Sequence, residues 1–168
     1  IWIKNKIRFL NKIDYMDANF ITTSPKALNF LPKDKKILFI PNPADESFET
    51  LNNYENLSCI YDVFFALSHG VHRGILKKGK FDQRENFISR LIKRTPNVKF
   101  DVYGINNVQP IWADSFYRSL SRSKMGINLS QGFPIRHYSS DRLTQLIGNG
   151  LLTFIDDNTH YRNFFSEN

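Results

Sequence analysis

The stretch SKMGINLSQGFPIRHYSSDRLTQLIGNGLLTFID, residues 123–156, decides how the chain is read. Its first part, residues 124–130, is an apolar run of strand length. Its last part, residues 151–156, is another. Between them, residues 141–148 place Leu143, Leu146 and Ile147 at helical spacing, which turns those three side chains toward a sheet. Ser139 or Ser140 suits the N-cap of that helix, and Asp141 suits its first turn. The glycines of GNG (148–150) end the helix and turn the chain back into a strand. A strand, a helix and a second strand in so few residues make a βαβ unit, and such units build parallel sheets.

The same rhythm runs outward in both directions. Residues 59–68, CIYDVFFALS, form an apolar run of the kind buried on both faces of a parallel sheet. A helix is predicted over 82–94, a strand over 98–104 and a helix over 113–123. After residue 156 the stretch THYRNFFSEN reads as the start of a further helix. Nearer the beginning, residues 2–13 have helical spacing. Residues 18–24 and 36–43 read as strands, and Pro25 as a helix start. Residues 43–57 are polar and turn-rich, and read as a linker. The fold class is therefore α/β: a Rossmann-like parallel sheet with helices on both faces. The expected division is 1–42 as the end of one domain, 43–57 as the link and 58–168 as a nucleotide-binding domain. Because the chain opens on Ile1 and closes inside an expected helix, the expectation is also of a piece of a longer protein, cut at the C-terminal side.

Composition narrows the function classes. The chain has 168 residues, 41% of them apolar and 23% charged, which is the balance of a soluble globular domain. No apolar run approaches the roughly 20 residues of a membrane span. The single Cys59 excludes an internal disulfide and a cysteine metal cluster, and fits a reducing compartment. The net charge of +7 suits an anionic partner: nucleic acid, a phospholipid surface or a phosphate-bearing substrate. No basic recognition helix and no RNA-binding aromatic signature accompany it.

In open parallel sheets, ligands bind beyond the carboxyl ends of the strands, so the loops after strands carry the candidate residues. After the first strand of the second domain come Gly70, His72, Arg73 and Lys78. Glycines there let a phosphate approach the backbone, and Arg73 and nearby lysines can bind its oxygens. The loop is neither a Walker loop nor a dinucleotide fingerprint. Two histidines, His69 and His72, lack a third metal ligand at suitable spacing, so no metal and no cofactor is expected. After the next strand come Gly104 and Asn106, with Tyr103 and Trp112 as rings able to stack a base or simply to pack. After the third strand come Ser130, His137, Tyr138, Ser139, Ser140, Asp141, Arg142 and Gln145. A helix start that follows a strand is a ready anion site. The same polar cluster is also explained by capping alone. Asp141 and Gln145, four apart, share one helical face.

Residues 123–156 as a whole resemble the donor-binding segment of group 1 glycosyltransferases of the GT-B fold. DVFFALSHGVHRG (62–74) resembles the first strand and phosphate-side loop of that domain. ITTSPKALNFLPKDKKILFIPNPADESFE (21–49) is similar to the end of the acceptor domain and the link that follows it. The resemblance implies a nucleotide-sugar donor bound by the residues just named, and transfer of its sugar to a cell-surface polysaccharide or glycolipid. It implies a cytoplasmic protein, with a place at the inner face of an anionic membrane. Many retaining members carry two glutamates eight residues apart. Here Gln145 and His137 stand in those positions, so that carboxylate pair is not carried over. Two further classes stay open at this point: a non-catalytic nucleotide-sugar-binding domain and a basic nucleic-acid-binding domain.

Overall fold

The computed structural model describes residues 2–68, 71–72, 75–76, 83–138 and 140–165, with residues 2–4, 71–72 and 75–76 described by their backbone alone. It is α/β, and it divides into two compact units. One contains residues 1–42, 134–140 and 157–168; the other contains 43–133 and 141–156.

The larger unit is built on a four-stranded, all-parallel sheet. Its strands are β3 (Tyr61–Ala66), β6 (Phe100–Tyr103), β7 (Ser123–Asn128) and β8 (Leu152–Ile155), in the order β6-β3-β7-β8. The apolar run at 59–68 thus becomes an inner strand, paired with β6 on one side and β7 on the other. Alternation along β3 sorts the core. Val63 and Phe65 point to one face, where Ile88, Leu91 and Ile92 of helix α2 (Gln83–Arg94) pack with Ile127 of β7. Phe64 and Ala66 point to the other face. There they meet Phe116, Tyr117 and Leu120 of helix α3 (Ala113–Leu120) and Leu146 of helix α4 (Asp141–Gly148). Phe64, Phe65, Ile88, Leu120 and Leu146 are fully buried, each removal of such a side chain from water contributing about 1.5–3 kcal/mol. This is the Rossmann-like arrangement of a parallel sheet with helices on both faces.

Gly104 ends β6 at φ 77, and a Cβ built there falls 1.7 Å from the carbonyl oxygen of Leu67. Only glycine allows the ends of β3 and β6 to approach so closely. The segment 43–57 belongs to this unit. Leu51 packs on the α3 and α4 face, and the Asn53 amide donates to the carbonyl oxygens of Leu120 at 2.7 Å and Ser123 at 2.8 Å.

The smaller unit joins helix α1 (Trp2–Ile13) to a two-stranded parallel sheet of β1 (Asn19–Ile21) and β2 (Ile37–Phe39). The helix expected after residue 156 does not form among the described residues. Two 3-10 turns, Asp157–Thr159 and Tyr161–Phe164, stand there instead. His160 between them takes the left-handed φ of 55, which interrupts helical propagation. A short antiparallel pair, β4 (Val71–His72) and β5 (Ile75–Leu76), occupies part of the loop after β3. Of the described helices, none is long and apolar enough to cross a membrane.

Candidate functional site

The carboxyl end of β3 opens onto a cleft of about 370 Å³, within the range of small-molecule sites. Three elements line it. The end of β3 and its exit contribute Ala66 and Ser68. The start of α3 contributes Trp112, Phe116 and Tyr117. The start of α4 contributes Asp141, Arg142 and Gln145.

Helix α4 is held by its opposite side. Leu143 and Leu146 are buried against the sheet, so Asp141 and Gln145, one turn apart, turn toward the cleft. Ile147 does not join the inward stripe as its spacing predicts; it is 41% exposed. The remaining end of the helix is closed by Asn149, whose side-chain amide donates to the Gln145 carbonyl at 2.8 Å. Leu146 lies so near Gly126 of β7 that a Cβ there would come within 2.4 Å of its methyl group. Helix and sheet therefore approach closely at this point.

Two of the contacts of Arg142 show how it is held. Its Nη1 donates to the Leu129 carbonyl at 3.3 Å, and its guanidinium carbon lies 5.7 Å from the centroid of the Phe65 ring. A cation held over a ring in this way is attracted to the face of the π-system. Ala113 begins α3 in the left-handed region, φ 48, which costs a residue with a Cβ about 1–2 kcal/mol. Trp112 just before it is extended, and its 47% exposed side chain forms part of the cleft wall. Backbone strain beside a cleft is a frequent mark of a functional position.

The sequence-predicted residues are distributed unevenly around this cleft. Asp141, Arg142 and Gln145 are brought together. Gly104 sits at the neighbouring strand end, as a closure between β3 and β6. Asn106 turns toward α2: its N–H donates to the Glu85 carboxylate at 3.2 Å, and Ser89 Oγ is 3.4 Å from its side-chain oxygen. Neither Gly104, Asn106 nor Ser130 is among the lining residues. Tyr103 is not a free stacking ring. Its hydroxyl is 2.9 Å from Ser119 Oγ and 3.4 Å from Arg122, and burial raises its pKa.

His137 and Tyr138 belong to the smaller unit. The His137 ring lies 4.7 Å from that of Phe164 and 5.4 Å from that of Phe39, with Tyr161 at 6.5 Å. Its Nε2 is buried without a hydrogen-bond partner among the described residues, and its backbone N–H donates to the Thr159 carbonyl at 2.8 Å. Burial, and then the charges of Arg136 and His160, hold its pKa below the usual histidine value. Ser140 is half-buried in the same unit. Gly70, Arg73, Lys78 and Ser139 lie outside the described residues, and His72 is seen only as backbone in β4. Among the described residues no group of three metal-ligating side chains is present.

Phe116 and Tyr117 are lining residues that the sequence reading did not single out. Their signal was an adjacent aromatic pair on an amphipathic helix after a strand, which also describes ordinary core packing. The cleft combines a carboxylate and a side-chain amide with an indole wall. Carboxylate and amide oxygens accept hydrogen bonds from hydroxyls, the amide also donates, and the indole offers a stacking face.

Neither the curated proteins nor the solved structures contain a significant match to the chain. A family model described as glycosyl transferase-like matches residues 83–168, just over half of it. That stretch carries α2 to α4, β6 to β8 and most of the cleft wall, and the chain belongs to this glycosyl transferase-like family.

Proposed function

We propose that the chain is the donor-binding part of a glycosyltransferase of the GT-B fold, group 1, that takes its sugar from a nucleotide-sugar. The acceptor in this reading is a cell-surface polysaccharide or glycolipid, met in the cytoplasm at the inner face of the membrane. Residues 1–42 would be the end of the acceptor-side domain. The observation that carries the reading is the cleft at the carboxyl end of β3, in a chain of a glycosyltransferase-like family. There Trp112, Asp141 and Gln145 converge.

Each has a role that its chemistry suits. The indole of Trp112 offers a face to the nucleotide base. Asp141 and Gln145, one helical turn apart, match two neighbouring ribose hydroxyls. Arg142 and the glycine-flanked Arg73 supply positive charge for the diphosphate, whose negative charge grows as the glycosidic bond breaks. Catalysis in this scheme is positioning plus stabilisation of the leaving group.

The test is a thermal-shift and calorimetric screen with UDP, GDP, ADP and CMP. A ligand at 100 times its dissociation constant adds about 2.7 kcal/mol of apparent stability. Gln145→Ala is expected to weaken binding of the active nucleotide while leaving the melting temperature of the free protein unchanged. Equal affinity in the variant removes Gln145 from the site. A non-catalytic binder is the second reading, favoured by one observation: His137, in the position of a family glutamate, is packed among rings of the smaller unit. Transfer of labelled sugar to an acceptor extract separates the two readings.

A further inference from the structure

Six non-glycine residues among those described have a left-handed backbone: Asn52, Asn106, Asn107, Ala113, His137 and His160. Five of them are asparagine or histidine, types enriched in that conformation. A short polar side chain can hydrogen-bond locally and offset the crowding of Cβ against the next carbonyl. Ala113, at φ 48, has no such group. Its side chain is exposed, so burial of its Cβ does not impose the conformation either. The conformation is set by what holds the chain on each side.

Both sides are anchored. Ile111, two residues before, and Phe116, three residues after, pack on the same core cluster of Phe64, Leu120 and Leu146. The Phe116 ring stands edge-on to Phe64, with centroids 5.2 Å apart and planes at 89°. Trp112 lies between the anchors and is extended, φ −144 and ψ 167. Successive side chains of an extended segment point to opposite sides. Ile111 points to the core, so Trp112 points away from it, where its exposed side chain joins the wall of the cleft. From there the chain enters α3 at once, and the Phe116 N–H already reaches the Trp112 carbonyl at 3.4 Å. The left-handed step at Ala113 makes that turn. With Ile111 and Phe116 fixed, a change in the sign of φ at 113 has to be taken up by the torsions beside it, and those are the torsions that aim Trp112.

We propose that Ala113 is a positioning residue: its left-handed turn aims the Trp112 indole into the cleft wall in advance, as a stacking face for the nucleotide base. The role rests on the reading of the cleft as a nucleotide site. A face fixed before binding spares the complex the cost of ordering it.

The test separates the turn from the ligand. In the full chain carrying Trp2→Phe, Trp112 is the one remaining tryptophan, and its near-ultraviolet circular dichroism band reports a held indole. Affinity is measured by calorimetry with whichever of UDP, GDP, ADP and CMP raises the melting temperature most. Ala113→Asn accepts the left-handed turn, and is expected to keep the band and the affinity at a melting temperature no lower than that of the parent. Ala113→Val brings a β-branched side chain that does not accept it, and is expected to lose the band. It is expected to bind at least about fivefold more weakly, the loss also expected for Trp112→Ala when a stacked base loses its platform. The variant carrying both changes is expected to bind no more weakly than Trp112→Ala, because the turn acts through the indole. Additive losses in that double variant, an intact band in Ala113→Val, or loss of band or affinity in Ala113→Asn overturns the proposal. Where Ala113→Val does not fold, Ala113→Asn decides alone by its band and its affinity. A parent protein that binds none of the four nucleotides, yet loses the band in Ala113→Val and keeps it in Ala113→Asn, removes the nucleotide reading and leaves the hold of the turn on Trp112 standing.

Discussion

Residues 134–148 look like one functional segment, yet their two halves meet different fates. From Asp141 onward the chain is helix α4, anchored by Leu143 and Leu146 and turning Asp141 and Gln145 into a cleft. Just before it, His137 is enclosed by Phe39, Tyr161 and Phe164 in the smaller unit. One half turns polar groups into a cleft; the other hides an imidazole among rings. Adjacency along the chain supplied the idea of a single site, but packing partners decide what each half can do. For the second half these partners are local and periodic. For the first they are rings from β2 and from the turns after β8.

The largest expected effect is on the anchor of the ligand-facing half. Leu146 is fully buried between α4 and Gly126 of β7. Leu146→Ala is expected to cost about 3 kcal/mol, the transfer and cavity cost of such a truncation, and to lower the melting temperature by roughly 6–12 °C. Calorimetry checks it. A loss below about 1 kcal/mol would mean that α4 is not rooted in the sheet as described.

The comparison itself is broken or sharpened by two variants measured together. Gln145→Ala removes one neutral hydrogen-bonding group from the cleft and is expected to weaken nucleoside diphosphate binding by about 2- to 12-fold, the equivalent of roughly 0.5–1.5 kcal/mol. His137→Ala is expected to leave that affinity unchanged and to lower stability. If both weaken binding equally, the two halves act as one site after all.

A pH series addresses the other half. The folded-state pKa of His137 lies below its ordinary value, through burial first and then through Arg136 and His160. The unfolded chain therefore takes up a proton at a higher pH than the folded one. The stability that neutral His137 confers is present above about pH 6.5 and is lost as the pH falls toward the lowered pKa. Wild-type melting temperature is expected to fall over that window, and more steeply than that of His137→Phe. Parallel curves for the two proteins would show that the imidazole is not held neutral by its surroundings.

Much of the larger unit was legible in the sequence because its signals are short-range. The α4 boundaries follow from a polar start, an apolar stripe and GNG at its end. The inner position of β3 follows from an unbroken apolar run. The cleft residues Asp141, Arg142 and Gln145 follow from the rule that ligands gather beyond the carboxyl ends of strands. What was not legible depends on contacts distant in sequence. The turns at Asp157–Thr159 and Tyr161–Phe164 carry helix-compatible residues, but ring contacts with Phe39 and His137 accompany a left-handed His160 instead of a further helix. Asn106 follows a strand, as a ligand-binding residue might be expected to do, yet the Glu85 carboxylate draws its backbone toward α2. The packing of 43–57 includes a buried amide, Asn53, whose partners Leu120 and Ser123 give no sign in its local sequence.

The smallest effect is expected at the end of the sheet away from the cleft. Asp62, near the start of β3, accepts the backbone N–H of Lys99 at 2.9 Å and faces Lys124 Nζ at 3.4 Å. The backbone hydrogen bond is the main reason that its pKa lies below the usual carboxylate value, with Lys124 adding to it. The group is close to solvent, and salt and water screen the lysine, so its contribution is small. Asp62→Asn keeps the shape and removes the charge; it is expected to cost at most about 1 kcal/mol. The sign fixes the pH window. A lowered folded-state pKa gives stability that is present above about pH 4 and is lost as the pH falls through the folded value. The gap between wild type and Asp62→Asn should therefore close in acid, opposite in sense to a group that stabilises only when protonated. Nucleoside diphosphate affinity is expected to stay the same, because Asp62 enters the sheet at the amino end of β3 while the cleft lies at the carboxyl end. A change in nucleotide affinity would show that the two ends of β3 are coupled in a way that this packing does not provide, and a gap that widens as the pH falls would show that the Asp62 charge is not stabilising.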